Sequence, residues 1–170
     1  YSDFVDRAAT SQEDLVIGSP TSGRSRARFA DLVGYCVNPI ALRLDLSRDP
    51  SFREVLRRVR ATTLGGLRHQ DLPFPALVER LQPERDPARS PLFQVMFNLH
   101  SEPATPLALD GLDISGVALP RHTAKFDLSI SVAEFAGSLN VTFEYNTDLF
   151  DEATVAGLCG SYGAVLGGVV

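Results

Sequence analysis

Apolar residues recur along this chain with two alternating periods. The run "LVIGSP" (15–20), closed by Gly and Pro, predicts a short buried strand that ends in a loop. "CVNPIALRLDL" (36–46) predicts a second strand, interrupted near Pro39, which has no N–H for a ladder and suits an edge or a bulge. The period then lengthens. Phe52, Val55, Leu56 and Val59 fall on one helical stripe while Arg53, Arg57, Arg58 and Arg60 turn away or to the flank. This predicts an amphipathic helix over about 50–67, with Asp49 as N-cap and Pro50 at the first helical position. Gly65 and Gly66 weaken its end, and "DLPFP" allows only a turn before a second helix, about 74–82, carrying Ala76, Leu77, Val78 and Leu81.

"LFQVMFNL" (92–99) is apolar on both faces, as a central strand requires. Further on, Phe126, Leu128, Ile130 and Val132 alternate with Asp127, Ser129 and Ser131. Leu139, Val141, Phe143 and Tyr145 alternate with Asn140, Thr142 and Glu144, and Ala136-Gly137-Ser138 lies between the two runs. A hairpin with one wet and one dry face follows. Asp151 is placed to cap a last helix, about 151–168, whose apolar positions are Val155, Leu158, Tyr162, Leu166 and Val169. Tyr1, Phe4, Val5 and Ala8 share a helical face from the first residue, so both ends read as parts of a longer chain. The stretch 100–123, with Pro103, Pro106, Gly111 and Gly116, is the least compact and predicts an excursion from the core.

At 170 residues, 44% hydrophobic and 22% charged, the chain has the makings of one globular domain or a piece of one. Its formal charge of -5 argues against a nucleic-acid partner, which needs a basic face. The basic cluster Arg24, Arg26 and Arg28 reads as a solvated loop. Cys36 and Cys159 have no metal-ligand spacing and read as reduced, buried thiols of a cytoplasmic protein. No apolar run reaches the length of a membrane span, so no membrane partner is expected.

Chemistry-bearing residues concentrate in "RHQDLPFPALVERLQPERDPARSPLFQVMF" (68–97). His69 and Asp71 suggest a dyad, but two residues apart at a helix-to-turn junction they do not face each other, and no third group orients them. The plainer reading makes Asp71 the cap of the following helix and lets His69 fix the turn. Arg85, Asp86 and Arg89 are read as an ion-pair cluster stiffening the loop rather than an anion site. There is no Gly-x-Ser-x-Gly elbow, no phosphate-cradling loop and no cluster of metal ligands.

Four ordered segments go further: "IGSPTSGR" (17–24), "LVGYCVNPIALR" (32–43), "HQDLPF" (69–74) and "RDPARSPLFQVMF" (85–97). In this order and spacing they resemble the later core motifs of condensation domains in nonribosomal peptide synthetases, and "AKFDLSISV" (124–132) and "FEYNTDLFD" (143–151) extend the likeness to the end. The matching motif positions are Gly18, Gly34, His69, Gln70, Asp71, Phe74, Arg85, Asp86, Arg89 and Ser90. The resemblance implies one lobe of a chloramphenicol acetyltransferase-like pseudo-dimer. Its fold would be α/β, a two-layer α+β sandwich with a mixed sheet and the helices on one face.

The family's His-His-x-x-x-Asp-Gly motif belongs to the first lobe and is absent here, so residues 1–170 correspond to the second, C-terminal lobe. No catalytic residue is then expected in this chain. The resemblance implies that the whole domain joins a donor thioester to an aminoacyl acceptor. Both arrive on phosphopantetheine arms of carrier proteins, in a tunnel between the lobes, with no cofactor or metal bound directly. Expected partners are the missing N-terminal lobe, the donor and acceptor carrier proteins and neighbouring synthetase domains. Ser19, Ser22, Tyr35 and Asn38 are the candidate tunnel residues. For Asn38 a second reading stands beside this one, in which it satisfies backbone groups near Pro39; for Ser22 the alternative is a plain turn at Ser22-Gly23. Cys36 replaces the family's usual aromatic and Pro39 its Thr, which reshapes the wall at Asn38. Two alternatives remain: a non-catalytic recruitment module, and part of a stand-alone thioester-dependent acyltransferase.

Overall fold

The structure, a computed structural model, describes residues 12–84, 86, 87, 89–100, 111, 112, 117, 122–135 and 137–169. The helix expected over 1–9, Arg85 and most of the 100–123 excursion lie outside them.

Five strands form one mixed sheet: β1 (Asp14–Thr21), β2 (Asn38–Asp45), β3 (Val95–His100), β4 (Leu128–Phe135) and β5 (Ser138–Tyr145). Their spatial order is β2-β1-β3-β4-β5. β1 runs antiparallel to β2 and parallel to β3, β3 is parallel to β4, and β4 and β5 form the expected hairpin. The hairpin closes from Phe135 to Ser138, with Gly137 at φ 77°, a left-handed conformation that tight hairpin turns need. β2 is one of the two edge strands, so Pro39 sits where a missing N–H costs no central ladder bond. β3 is central, as its composition requires, although it begins at Val95, after Leu92 and Phe93 have turned out of register. Leu92 has φ 70° there.

Three α-helices are described: α1 (Phe52–Arg68), α2 (Phe74–Leu81) and α3 (Glu152–Gly168). Alternation places Leu15, Ile17, Leu44, Val95, Phe97, Leu128, Ile130 and Val132 on one sheet face. Both long helices cover that face. Val55 and Val59 of α1 pack with Leu15, Ile17, Leu44 and Leu46, while Tyr162, Leu158 and Leu166 of α3 pack with Leu128, Ile130 and Val132. Phe97, on the central strand, touches both clusters and joins them into one core. Each fully buried aliphatic here contributes about 2 kcal/mol. α2 stands against β2. Gly66 lies inside α1 where a Cβ would come 3.0 Å from Leu42 and 3.1 Å from Ile40, so this helix approaches β2 closely at its weakest residue.

Several expectations are corrected. The N-cap of α1 is Ser51, whose Oγ accepts from Glu54 N–H at 3.4 Å. Arg48 and Asp49 both adopt positive φ, 67° and 46°, a left-handed pair that turns the chain before the helix begins. Leu56 is exposed, while Val55 and Val59 pack against the sheet. Cys36 and Cys159 are free but not buried: Cys159 is exposed and Cys36 partly so. Asp151 does cap α3, accepting from Thr154 N–H at 2.7 Å.

Candidate functional site

The sheet end where β1 leaves and β2 enters is organised by one side chain. Asn38 Nδ2 donates to the carbonyls of Gln70 (2.9 Å) and Leu72 (2.8 Å), and its Oδ1 accepts from Phe74 N–H at 2.9 Å. Its own carbonyl accepts from the buried hydroxyl of Thr21 at 2.7 Å. The amide therefore pins the whole α1–α2 turn to the edge of the sheet. It also does what was expected of Asp71. Pro73, the N-cap residue of α2, offers no side-chain bond, and Asn38 captures the orphan Phe74 N–H from across the fold.

Asp71 faces outward instead. It accepts from Ser25 Oγ at 3.1 Å and from Arg26 Nη2 at 3.0 Å. The Arg26 bond, followed by that of Ser25, holds its carboxyl below the usual carboxylate range. His69 terminates α1: its N–H donates to Gly66 O at 3.0 Å and its Nδ1 to Gly65 O at 3.0 Å, both in the last turn of that helix. Asp86 and Arg89 approach to 3.6 Å, a loose exposed pair, and Ser90 O accepts from Gln94 Nε2 at 2.9 Å. Gly18 lies under the buried Phe93 ring, whose neighbours are Phe74 (5.2 Å between centroids) and Phe126 (5.7 Å).

The loop between β1 and β2 is compact. Gly23, at φ 66°, sits so close to the Cys36 carbonyl that any Cβ would collide with it, closing the loop at its neck. Arg24 braces the interior by donating to Leu32 O at 2.9 Å and Gly34 O at 3.0 Å, and its N–H donates to Ser22 Oγ at 3.2 Å. Arg28 lies over the Phe29 ring at 4.6 Å. Arg24 is thus an internal tie of the folded loop and Arg26 ties it to the α1–α2 turn, while Arg26 and Arg28 stay exposed to solvent, as expected of the run.

Between this loop and the α1–α2 turn lies an open depression of about 470 Å³. Of the candidate residues it gathers Tyr35, Asn38, Gln70 and Asp71, together with Arg26, Arg28 and Cys36. Ser19, Ser22, Gly18, Gly34, His69, Asp86, Arg89 and Ser90 do not line it. The sequence reading assigns Arg26 and Arg28 to a solvated loop rather than to the site, and marks Cys36 only as a departure that reshapes the wall at Asn38; the Arg-x-Arg-x-Arg spacing was a usable signal, but the carbonyls that Arg24 binds were not. Tyr35 is 85% exposed at the rim. Among the described residues no histidine lines the depression, and its one carboxylate, Asp71, is already bonded to an arginine. The described residues hold no group of His, Cys, Asp and Glu fit for a metal ion. No helix among them is long and apolar enough to cross a membrane. Such a surface can shape and orient a ligand.

The family model of the condensation domain matches residues 7–170, and the chain belongs to that family. Its curated relatives include a linear gramicidin synthase polypeptide of Brevibacillus parabrevis, 47% identical over 159 residues. That alignment covers 92% of this chain and 3% of the relative. Malpinin synthetase of Mortierella alpina is 44% identical over 144 residues, covering 85% of this chain and 2% of the relative. The chain thus spans a small fraction of the synthetases it matches. Among solved structures, the X-domain from teicoplanin biosynthesis is 26% identical with a TM-score of 0.74, covering 88% of this chain and 35% of that one. The condensation domain of the Monacolin K polyketide synthase shares the fold at a TM-score of 0.83 and 19% identity, covering 97% and 38%.

Proposed function

We propose that this chain is the C-terminal lobe of a peptide-bond-forming condensation domain and supplies one wall of its substrate tunnel. The observation that carries the reading is the match of 7–170 to the condensation family, joined to an open depression lined by Tyr35, Asn38 and Arg26. Coverage of 97% of this chain against 38% of a condensation-domain chain supports the single-lobe assignment. In the complete domain the acceptor amine attacks the donor thioester carbonyl. A C–N bond forms, the C–S bond breaks, and the departing thiol takes a proton. The histidine that assists belongs to the first lobe; this lobe's contribution is placement, which lowers the entropic part of the barrier.

Within that scheme Asn38 and Tyr35 line the acceptor side, Asn38 as the post that sets the wall and Tyr35 as the exposed aromatic beside it. Ser19 and Ser22 belong to the same sheet end. The substrates are carried on phosphopantetheine arms of donor and acceptor carrier proteins, and the N-terminal lobe and neighbouring synthetase domains are the partners in place. The site of action is the cytoplasm. A recruitment role is the second reading, favoured by the teicoplanin X-domain, 27% identical to this chain, which forms a complex with OxyB.

The test is product formation by mass spectrometry with loaded donor and acceptor carriers. We expect none from this chain alone, product once it is joined to its native first lobe, and tolerance of His69→Asn in the joined domain. Product from the chain alone refutes the assignment. A folded joined domain that makes none, yet retains a partner protein, favours recruitment.

A further inference from the structure

The loop spanning Gly23 to Cys36 is built as a unit. Its neck is closed by Gly23 packed on the Cys36 carbonyl, and its interior is tied by Arg24 to Leu32 and Gly34. Short distance between its ends and internal packing are the marks of an Ω-type loop. The Phe29–Arg28 stack and Tyr35 ride on it, and both face the depression. Among the described residues its side chains have polar contact with the α1–α2 turn at one point, where Ser25 and Arg26 meet Asp71. That contact is open to water: the Arg26 and Asp71 side chains are 57% and 58% exposed. An ion pair so placed is weak and screened by salt. The far side of the contact is immobile by comparison, since Asn38 clamps the backbone on either side of Asp71.

We propose that Arg26 and Asp71 are positioning residues that hold this loop as a releasable flap over the depression, and that release of the pair widens the route by which the acceptor chain enters. The proposal rests on the condensation reading for what enters, but not for the motion. A braced loop on a closed neck swings as one piece when its polar tie to the α1–α2 turn breaks, carrying Tyr35 and the Arg28–Phe29 stack with it. A weak tie suits a gate that must open on every cycle.

The experiment compares the complete two-lobed domain with its Asp71→Asn variant and with the charge-swapped pair Arg26→Asp/Asp71→Arg. Amide exchange of 24–35 is expected to speed up about threefold in Asp71→Asn and to return toward wild type in the swap. Exchange of β3 and α3 is expected to stay unchanged. In the condensation assay Asp71→Asn should raise the KM for the loaded acceptor carrier by a similar factor, with kcat and the donor KM unchanged; a merely structural defect would lower kcat or shift both. Unchanged loop exchange in Asp71→Asn overturns the flap, whatever the activity. Faster exchange with an unaltered acceptor KM overturns its gating role. A wild-type domain that makes no product, while the exchange pattern holds, rejects the condensation reading and leaves the flap standing.

Discussion

Gly18 offers a quantitative test of how the sheet and its aromatic plug fit together. A Cβ at this position would lie 2.6 Å from Phe93 Cζ and 2.5 Å from Cδ2, closer than such atoms approach in proteins. Phe93 is 1% exposed, and its ring is backed by Phe74 and Phe126, so it has nowhere to retreat. Gly18→Ala therefore sets two effects against each other. Alanine in a strand gains about 0.5–1 kcal/mol from lost chain entropy, since no positive φ demands glycine here. Overpacking costs about 1–3 kcal/mol. Overpacking wins, and the variant should be destabilised by about 1–2 kcal/mol. Phe93→Val removes the colliding ring atoms and costs about 3 kcal/mol on its own, from lost burial and two lost aromatic contacts. In the Phe93→Val background Gly18→Ala should change sign and stabilise by about 0.5–1 kcal/mol, a coupling of about 2 kcal/mol between the two sites. Urea-unfolding midpoints at constant slope measure all four corners of the cycle. Additive effects, with Gly18→Ala equally costly in both backgrounds, would refute the packing argument.

Two further outcomes follow from the polar contacts. Asn38→Ala strips partners from two carbonyls and one N–H, and should lower stability by about 2 kcal/mol, read as a fall in Tm; Asn38→Asp should do no better, because a carboxylate faces the Gln70 and Leu72 carbonyls with no proton to give. Glu54 accepts from Arg57 and Arg58, which hold its carboxyl down at about 2 from 4.5. Its contribution is therefore complete above pH 4.5 and lost as pH falls toward 2, so Glu54→Gln should flatten the acid limb of a Tm-versus-pH curve in that window and leave the neutral limb parallel.

The flap and the cycle at Gly18 share a feature with Asn38: each depends on residues distant in the chain. Strands and helices were legible beforehand because their signals are local. An alternation of Leu128, Ile130 and Val132 with serines dictates a half-buried strand wherever the strand ends up, and the stripe Val55–Val59 dictates a helix. Pro39 marked an edge because a residue without an N–H is excluded from central ladders. Even the family was readable, since four motifs in a fixed order leave little room for coincidence. The site was not. Asn38 reaches residues 32 to 36 positions on, and Ser25 and Arg26 meet Asp71 across 46 and 45. No periodicity encodes which of several polar groups will satisfy an orphan N–H, so Asp71, the nearest acceptor in sequence, was the natural candidate for a cap that Asn38 provides. Local chemistry determined what each segment of this chain becomes. The path of the backbone, which brings the β2 edge, the β1–β2 loop and the α1–α2 turn to one corner, decided which side chains work together, because hydrogen bonds and ion pairs act only over a few ångströms of space.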